Sequence, residues 1–183
     1  MTGIAPRGPK VLETGRLVVR RFTLDDAAFI HELVNDPGWL EHIGDRKVRN
    51  LEDAREYLRK GTLAMYERHG FGMYLVELKA TGEPAGTCGL IRREALEDVD
   101  IGFAFLPRFR GQGLAREAAE AVLEHGRADF GLRRIVAIVS ERNRASIRLL
   151  EALGLRFERA VKLPGEEPPI PLYAWNAGDA APA

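Results

Sequence analysis

The stretch RGQGLAREAAEAVLEHGRADFG, Arg110 to Gly131, sets an arginine and two glycines immediately ahead of an amphipathic run. Gly111 and Gly113 let the chain turn tightly between a strand ending at Pro107 and a helix starting near Leu114. Free backbone N–H groups and the positive end of the helix then converge on one point, an arrangement suited to phosphate. Arg110, with Arg108 and Arg116 nearby, would add charge-assisted bonds to a diphosphate. A bare Gly-x-Gly also serves as a plain connection.

Two phosphate ligands fit poorly. A nucleoside-triphosphate loop needs Lys and then Ser or Thr after its last glycine, whereas Gly113 is followed by Leu114, Ala115 and Arg116. A dinucleotide fingerprint wants a small residue at position 116 and opens the first strand–helix unit, but this turn has Arg116 and comes late.

Composition narrows the field. Lysine plus arginine, 27, equals aspartate plus glutamate, 27, so no basic field draws nucleic acid or a membrane surface, and any bound anion must be held locally. Cys88, the single cysteine, excludes an internal disulfide, and it most simply serves as a core thiol. His31, His42, His69 and His125 are scattered without metal spacing, so no metal is expected. The opening MTGIAPRGPK lacks a signal-peptide apolar run, and no stretch approaches the roughly 20 apolar residues that span a bilayer. The expectation is a cytoplasmic protein, monomer or homodimer. Its 183 residues suit one domain, residues 10–176, between flexible termini at 1–9 and 177–183.

The elements that must position these residues follow from periodicity and caps. Arg16 to Phe22 reads as a strand, followed by a helix with Thr23 and Asp26 as its capping pair. Asn50 caps a further helical stretch to Gly70, one helix or two because Gly61 interrupts it. Phe71 to Lys79 and Ala85 to Arg92 form a hairpin, and DVDIGFAFL adds a strand in which Gly102 suggests a bulge or the close approach of a ligand. Leu114, Ala118, Val122 and His125 give the next helix a sheet-facing side to about Asp129. Ile135 to Val139 is apolar on both parities, as in a central strand, and Asn143 to Gly154 is a helix presenting Ile147, Leu150 and Leu153. LRFERAVKL and LYAWN close the chain as two strands around the Pro-rich PGEEPPIP. The order β-α-α-β-β-β-α-β-α-β-β implies an α/β (α+β) fold with a mixed sheet.

RGQGLA resembles the acyl-coenzyme A loop of the GNAT superfamily of N-acetyltransferases, Arg/Gln-x-x-Gly-x-Gly/Ala, with Arg110, Gly113 and Ala115 on the matching positions. LETGRLVVRRFTLDDAAFI, DIGFAFLPRFRGQGLAREA and NRASIRLLEALGLRF are similar to the family's opening strand and helix, its cofactor-bearing unit and its asparagine-containing helix. Leu12 to Trp175 is covered, and the branch resembled most is that of the ribosomal-protein N-terminal alanine acetyltransferases.

The resemblance implies a sheet of about seven strands, mostly antiparallel, with about four helices. It implies acetyl-CoA as cosubstrate, held by Arg110, Gly111, Gln112, Gly113, Leu114 and Ala115, by the backbone of Phe103, Ala104 and Phe105, and by Asn143. An N–H of that strand would stabilise an oxyanion. The acceptor would be a primary amine, attacking directly as the neutral form. At pH 7 an α-amine is neutral in roughly 15% of molecules and a lysine amine in about 0.04%, which favours a protein or peptide N-terminus. Asp100 matches the acidic position from which this branch draws a proton through water; Glu97 and Asp98 are rivals, and a strand-end carboxylate in solvent or in an ion pair is the plainer role. Many family members carry a tyrosine where this chain has Leu150, so Ser146 becomes the candidate proton donor, although Ser also suits a first helical turn. Trp39 and Glu41, with His42 beside them, fall where the family binds its acceptor, and packing explains them equally well. The alternatives are a small-molecule amine acceptor (an antibiotic or polyamine), a non-catalytic acyl-CoA sensor and, more remotely, a Rossmann-type oxidoreductase.

Overall fold

The computed structural model describes residues 7–179, so part of each expected terminal segment lies outside the described residues. Eight strands form one sheet in the order β1-β2-β3-β4-β5-β6-β8-β7. β1 is Lys10–Glu13, β2 Leu17–Arg21, β3 Met73–Leu78, β4 Pro84–Ile91, β5 Asp100–Phe105, β6 Arg134–Ile138, β7 Arg156–Val161 and β8 Ile170–Asn176. All neighbours pair antiparallel except β5 and β6. That mixed sheet is the expected α/β class, with one strand more than the seven foreseen. The extra strand is β1, four residues at the sheet edge whose burial alternates too little to leave a periodic signal.

The helices are α1 Ala27–Val34, α2 Pro37–His42, α3 Leu51–Tyr57, α4 Ala64–His69, α5 Leu114–Phe130 and α6 Arg144–Ala152. Before α1, the Asp26 carboxylate accepts from the Thr23 N–H at 2.8 Å, and before α3 the Asn50 Oδ1 accepts from the Asp53 N–H at 2.9 Å. α3 and α4 are joined without a break by a π-helical turn, Leu58–Leu63, centred near Gly61. The run is therefore one helix with its hydrogen-bond ladder widened in the middle, a feature often found beside functional sites. α2 was not foreseen as a helix, although Asp36 followed by Pro37 is an N-cap and first-turn signal.

The core confirms the parity argument for β6. Ile135 and Ala137 join the main apolar cluster under α5, while Val136 joins Leu96, Leu163, Leu172 and Ala174 in a second one. α5 packs against β2, β4 and β5 through Leu114, Ala118 and Val122. Among the described residues no helix is long and apolar enough to cross a membrane.

Near the chain ends, Gly8 is buried and the Pro9 carbonyl accepts from Arg21 N–H at 2.8 Å, and Ala177 N–H donates to Arg133 at 2.7 Å. Residues 7–9 and 177–179 thus hold defined contacts.

Candidate active site

Among the described residues the one parallel junction of the sheet is also its weakest. β5 is matched to β4 from Asp100 to Phe105 without a register shift, but to β6 only at Asp100 opposite Val136. Beyond that pair β5 and β6 part, and a cavity of about 750 Å³ lies between them and beneath α2, α3 and the π turn. Gly102 sits in an unbulged ladder, and a Cβ there would only touch Met73 and Ile91 at 3.4–3.7 Å. Its missing side chain enlarges the cavity rather than relieving the sheet.

Ladder parity shows which peptide groups face the gap. Leu106 N–H donates to Ala85 and Val136 N–H to Val99, so the odd-numbered residues of β5 turn their backbone groups away from β4. Phe103 and Phe105 therefore present peptide groups on the open side, and the Phe105 carbonyl already accepts from Arg110 Nε at 2.8 Å. Ala104 differs: its carbonyl lies against Gly86 of β4, so it meets the cavity by its side chain and not by its peptide as the sequence reading had it.

Asp100 is 1% exposed at the closed end of the splay, where Arg93 Nε donates to both of its oxygens at 3.1 Å. Burial pushes its carboxyl above the usual range, and the Arg93 charge opposes that rise. The rivals lie elsewhere: Asp98 accepts from Arg134 at 2.8 Å, Glu97 is exposed, and neither lines the cavity. Asn143 and Ser146 line the opposite wall. Asn143 Oδ1 caps α6 by accepting the Ser146 N–H at 3.1 Å, which leaves the Ser146 hydroxyl free of any partner among the described residues. Leu150, one turn further, lines the same wall with an apolar side chain.

The glycine loop lies outside the cavity lining. Gly111 and Gly113 take φ of 72° and 76°, a left-handed conformation that favours glycine, and Gly111, Gln112 and Gly113 are exposed. The first-turn N–H groups of α5 point out of the helix end unpaired. Leu114 is buried in the core, so only its peptide N–H can serve a ligand, and Ala115 is half-buried. All three nearby arginines are engaged: Arg108 with Glu32 at 2.6 Å, Arg116 with Glu120 at 2.8 Å and Arg110 with Asp36 at 2.5 Å. Gln112 Nε2 donates to the Arg108 carbonyl at 3.0 Å. The sequence reading overlooked the brace behind the loop, in which Arg16 donates to the Gln112 carbonyl at 2.8 Å and to Glu117 at 2.6 Å.

Of the foreseen acceptor residues, Trp39 lines the cavity and is 8% exposed, and its Nε1 has no partner. Glu41 is exposed and does not line it, whereas His42 does, with a buried Nδ1 also unpartnered. Tyr57, Arg46, Lys47 and Arg93 complete that side and carried no motif by which sequence could find them. Cys88 is fully buried off the cavity, and burial pushes its thiol up, consistent with a core role. Among the described residues no group of His, Cys, Asp and Glu is arranged to hold a metal.

The acetyltransferase (GNAT) domain family matches residues 16–156. The chain belongs to the GNAT acetyltransferase family. Relatives of this GNAT domain include the uncharacterized N-acetyltransferase YnaD of Bacillus subtilis, 28% identical over 147 residues, 80% of this chain and 83% of YnaD. A GNAT-family acetyltransferase structure from Bacillus anthracis has TM-score 0.71 and 26% identity, covering 89% of this chain and 95% of that one. The fold is shared with RimL, the ribosomal L7/L12 α-N-protein acetyltransferase, whose structure in complex with coenzyme A has TM-score 0.78 and 21% identity over 93% of this chain and 99% of that one. As a GNAT domain the protein is an acyltransferase.

Proposed function

We propose that the protein transfers the acetyl group of acetyl-CoA to a primary amine through a ternary complex. The observation that carries this is the parting of β5 and β6 after Asp100, which exposes unpaired strand edge beside a cavity. The residues fit the coenzyme: Phe103 and Phe105 would offer peptide groups to its amide-bearing arm, and the exposed loop Gly111 to Gly113 with the start of α5 would offer N–H groups to its diphosphate. RimL, with the same fold, holds coenzyme A.

Acetyl-CoA supplies an activated thioester: the C–N bond forms as the C–S bond breaks, one amine proton leaves to a base, and the sulfur departs and is protonated. Asp100 is the base in this reading, directly or through water; burial raises its carboxyl, and Arg93 opposes that rise and favours the ionised form. Ser146, with its hydroxyl uncommitted, is the donor toward sulfur; an ordinary thiol near pKa 8.5 needs no strong acid. Trp39, beside the cavity, helps orient the acceptor. A peptide N-terminus is the acceptor we favour, because its amine is far more often neutral at pH 7 than that of a lysine. A reducing, cytoplasmic setting suits the free thiol of Cys88.

Calorimetric titration with acetyl-CoA, coenzyme A and a nicotinamide dinucleotide tests the proposal. Selective micromolar binding of the coenzyme A ligands followed by amine-dependent thiol release is expected. Binding without thiol release across a broad amine panel would point to an acyl-CoA sensor instead.

A further inference from the structure

The cavity wall made by α2, the segment after it and the end of β4 carries charge that the reaction above does not use. Arg46 and Lys47 line it, and the neighbouring Asp45 carboxylate is already taken by Arg49 and, at 2.7 Å, by the Lys47 backbone N–H. The Arg46 guanidinium and the Lys47 ammonium thus have no ion pair among the described residues. Arg93 spends only its Nε on Asp100, so its terminal nitrogens are also uncommitted. Arg46 and Arg93 line the same cavity as Tyr57, whose phenol burial pushes up against the opposing charge of the two arginines. Lys47 holds φ at 57°, a left-handed conformation uncommon outside glycine and often kept at functional sites.

The carboxylates on the same wall are mostly occupied. Glu56 pairs with Arg59 and Lys60, and Asp53 accepts the Arg49 N–H at 2.9 Å as part of the α3 cap. Glu166, on the β7–β8 connection, is the one cavity-lining carboxylate without an ion pair or side-chain hydrogen bond among the described residues. Trp39 adds a buried Nε1–H that no protein acceptor satisfies. A buried donor without a partner is costly, and an occupant that brings acceptors and negative charge removes that cost.

We propose that the acceptor is an amine bearing a carboxylate, its amine placed toward Asp100 and its carboxylate held by Arg46 and Lys47. This rests on the acetyl-transfer reading above. A free acidic amino acid and an acidic peptide N-terminus share that chemistry, whereas polyamines and other polycations meet repulsion from the same two side chains.

The test measures thiol release from acetyl-CoA with the C-terminally amidated tripeptides Ala-Asp-Glu, Ala-Asn-Gln and Ala-Lys-Lys, and with free glutamate and spermidine. Acidic acceptors should exceed their neutral counterparts by about tenfold in kcat/KM, with basic ones slowest and the preference shrinking as salt rises. Arg46→Glu combined with Lys47→Asn, the second chosen because asparagine tolerates a left-handed backbone, should erase the preference while acetyl-CoA affinity stays within about twofold. Glutamate working where the tripeptides fail identifies the free amino acid as the source, and the reverse identifies the peptide. If coenzyme binds without turnover, calorimetry of the acetylated tripeptides should show the same charge order. Equal or better use of basic acceptors, absence of any charge order, or coenzyme affinity lost in parallel with the variant overturns the inference alone. Failure to bind coenzyme and to acetylate any amine removes both readings.

Discussion

Arg110 and Asp36 are joined across 74 residues of sequence by a 2.5 Å bond from the guanidinium NH2 to Asp36 Oδ2, the atom that also accepts the Gly38 and Trp39 N–H groups. One carboxylate oxygen therefore caps α2 and anchors the arginine that opens the glycine loop. Asp36→Ala should cost about 1–2 kcal/mol, chiefly through the lost cap, since the guanidinium is half-exposed and its ion pair is screened. Because α2 carries Trp39, acceptor KM should rise more than acetyl-CoA KM, as read from initial rates with each substrate varied. An acceptor KM left at the parent value in a folded variant would show that α2 does not shape the acceptor side.

Asp100 makes a prediction about pH. Its folded-state carboxyl is raised by burial, so the ionised base is gained only as pH climbs above the ordinary aspartate range near 3.9. The acidic limb of kcat/KM should lie above that range, and Asp100→Asn should abolish the limb and lower turnover more than coenzyme affinity. Arg93→Gln removes the charge that restrains the rise, so its limb should move to still higher pH. The same shift acts on stability with one sign: ionising Asp100 costs more folded than unfolded, so its contribution declines as pH rises through the folded value. A pH profile unchanged in both variants would remove Asp100 as base.

The loop and its brace should be separable by mutation. Gly113→Ala adds a Cβ 3.3 Å from Arg16 NH2 at a backbone φ of 76°, and should cost roughly 1 kcal/mol or more. Gly113→Asp adds negative charge besides, and should abolish coenzyme binding in calorimetry while the far-ultraviolet spectrum stays native. Burial works against the Glu117 carboxylate, but bonds from Thr14 and Arg16 prevail and hold it below the usual range. The stability it contributes is present above the unfolded value near 4.3 and lost as pH falls through the folded one, so Glu117→Gln should flatten the acid side of the stability curve.

Asn143 and Ser146 share one hydrogen bond but should fail differently. Asn143→Ala removes the α6 cap and should cost about 1 kcal/mol in denaturant unfolding, with coenzyme affinity reduced. Ser146→Ala keeps that cap, because the bond uses its backbone N–H, and should lower kcat with little change in stability or coenzyme affinity. Unaltered kcat in Ser146→Ala would leave the departing sulfur to be protonated by water.

How far the sequence reached depended on the range of each signal. Thr23 with Asp26, Asn50 with Asp53 and Gly70 after His69 are local devices, and the structure has the corresponding caps and stop. The apolar run at Ile135 to Val139 told of a two-faced strand because burial imposes its pattern on neighbouring residues. β1 and α2 escaped because a four-residue edge strand and a six-residue helix are too short to establish a period.

The sequence alone determined the α/β class, the order of the longer elements, the tight glycine turn before α5 and the family resemblance, since these reside in contiguous residues. Tertiary structure alone decided that β5 parts from β6 just after Asp100, that Arg93 meets that carboxylate and that Asp36 holds Arg110. Each of those depends on strand register or on partners brought together by the fold, and register is a property of two segments that neither segment's own pattern contains.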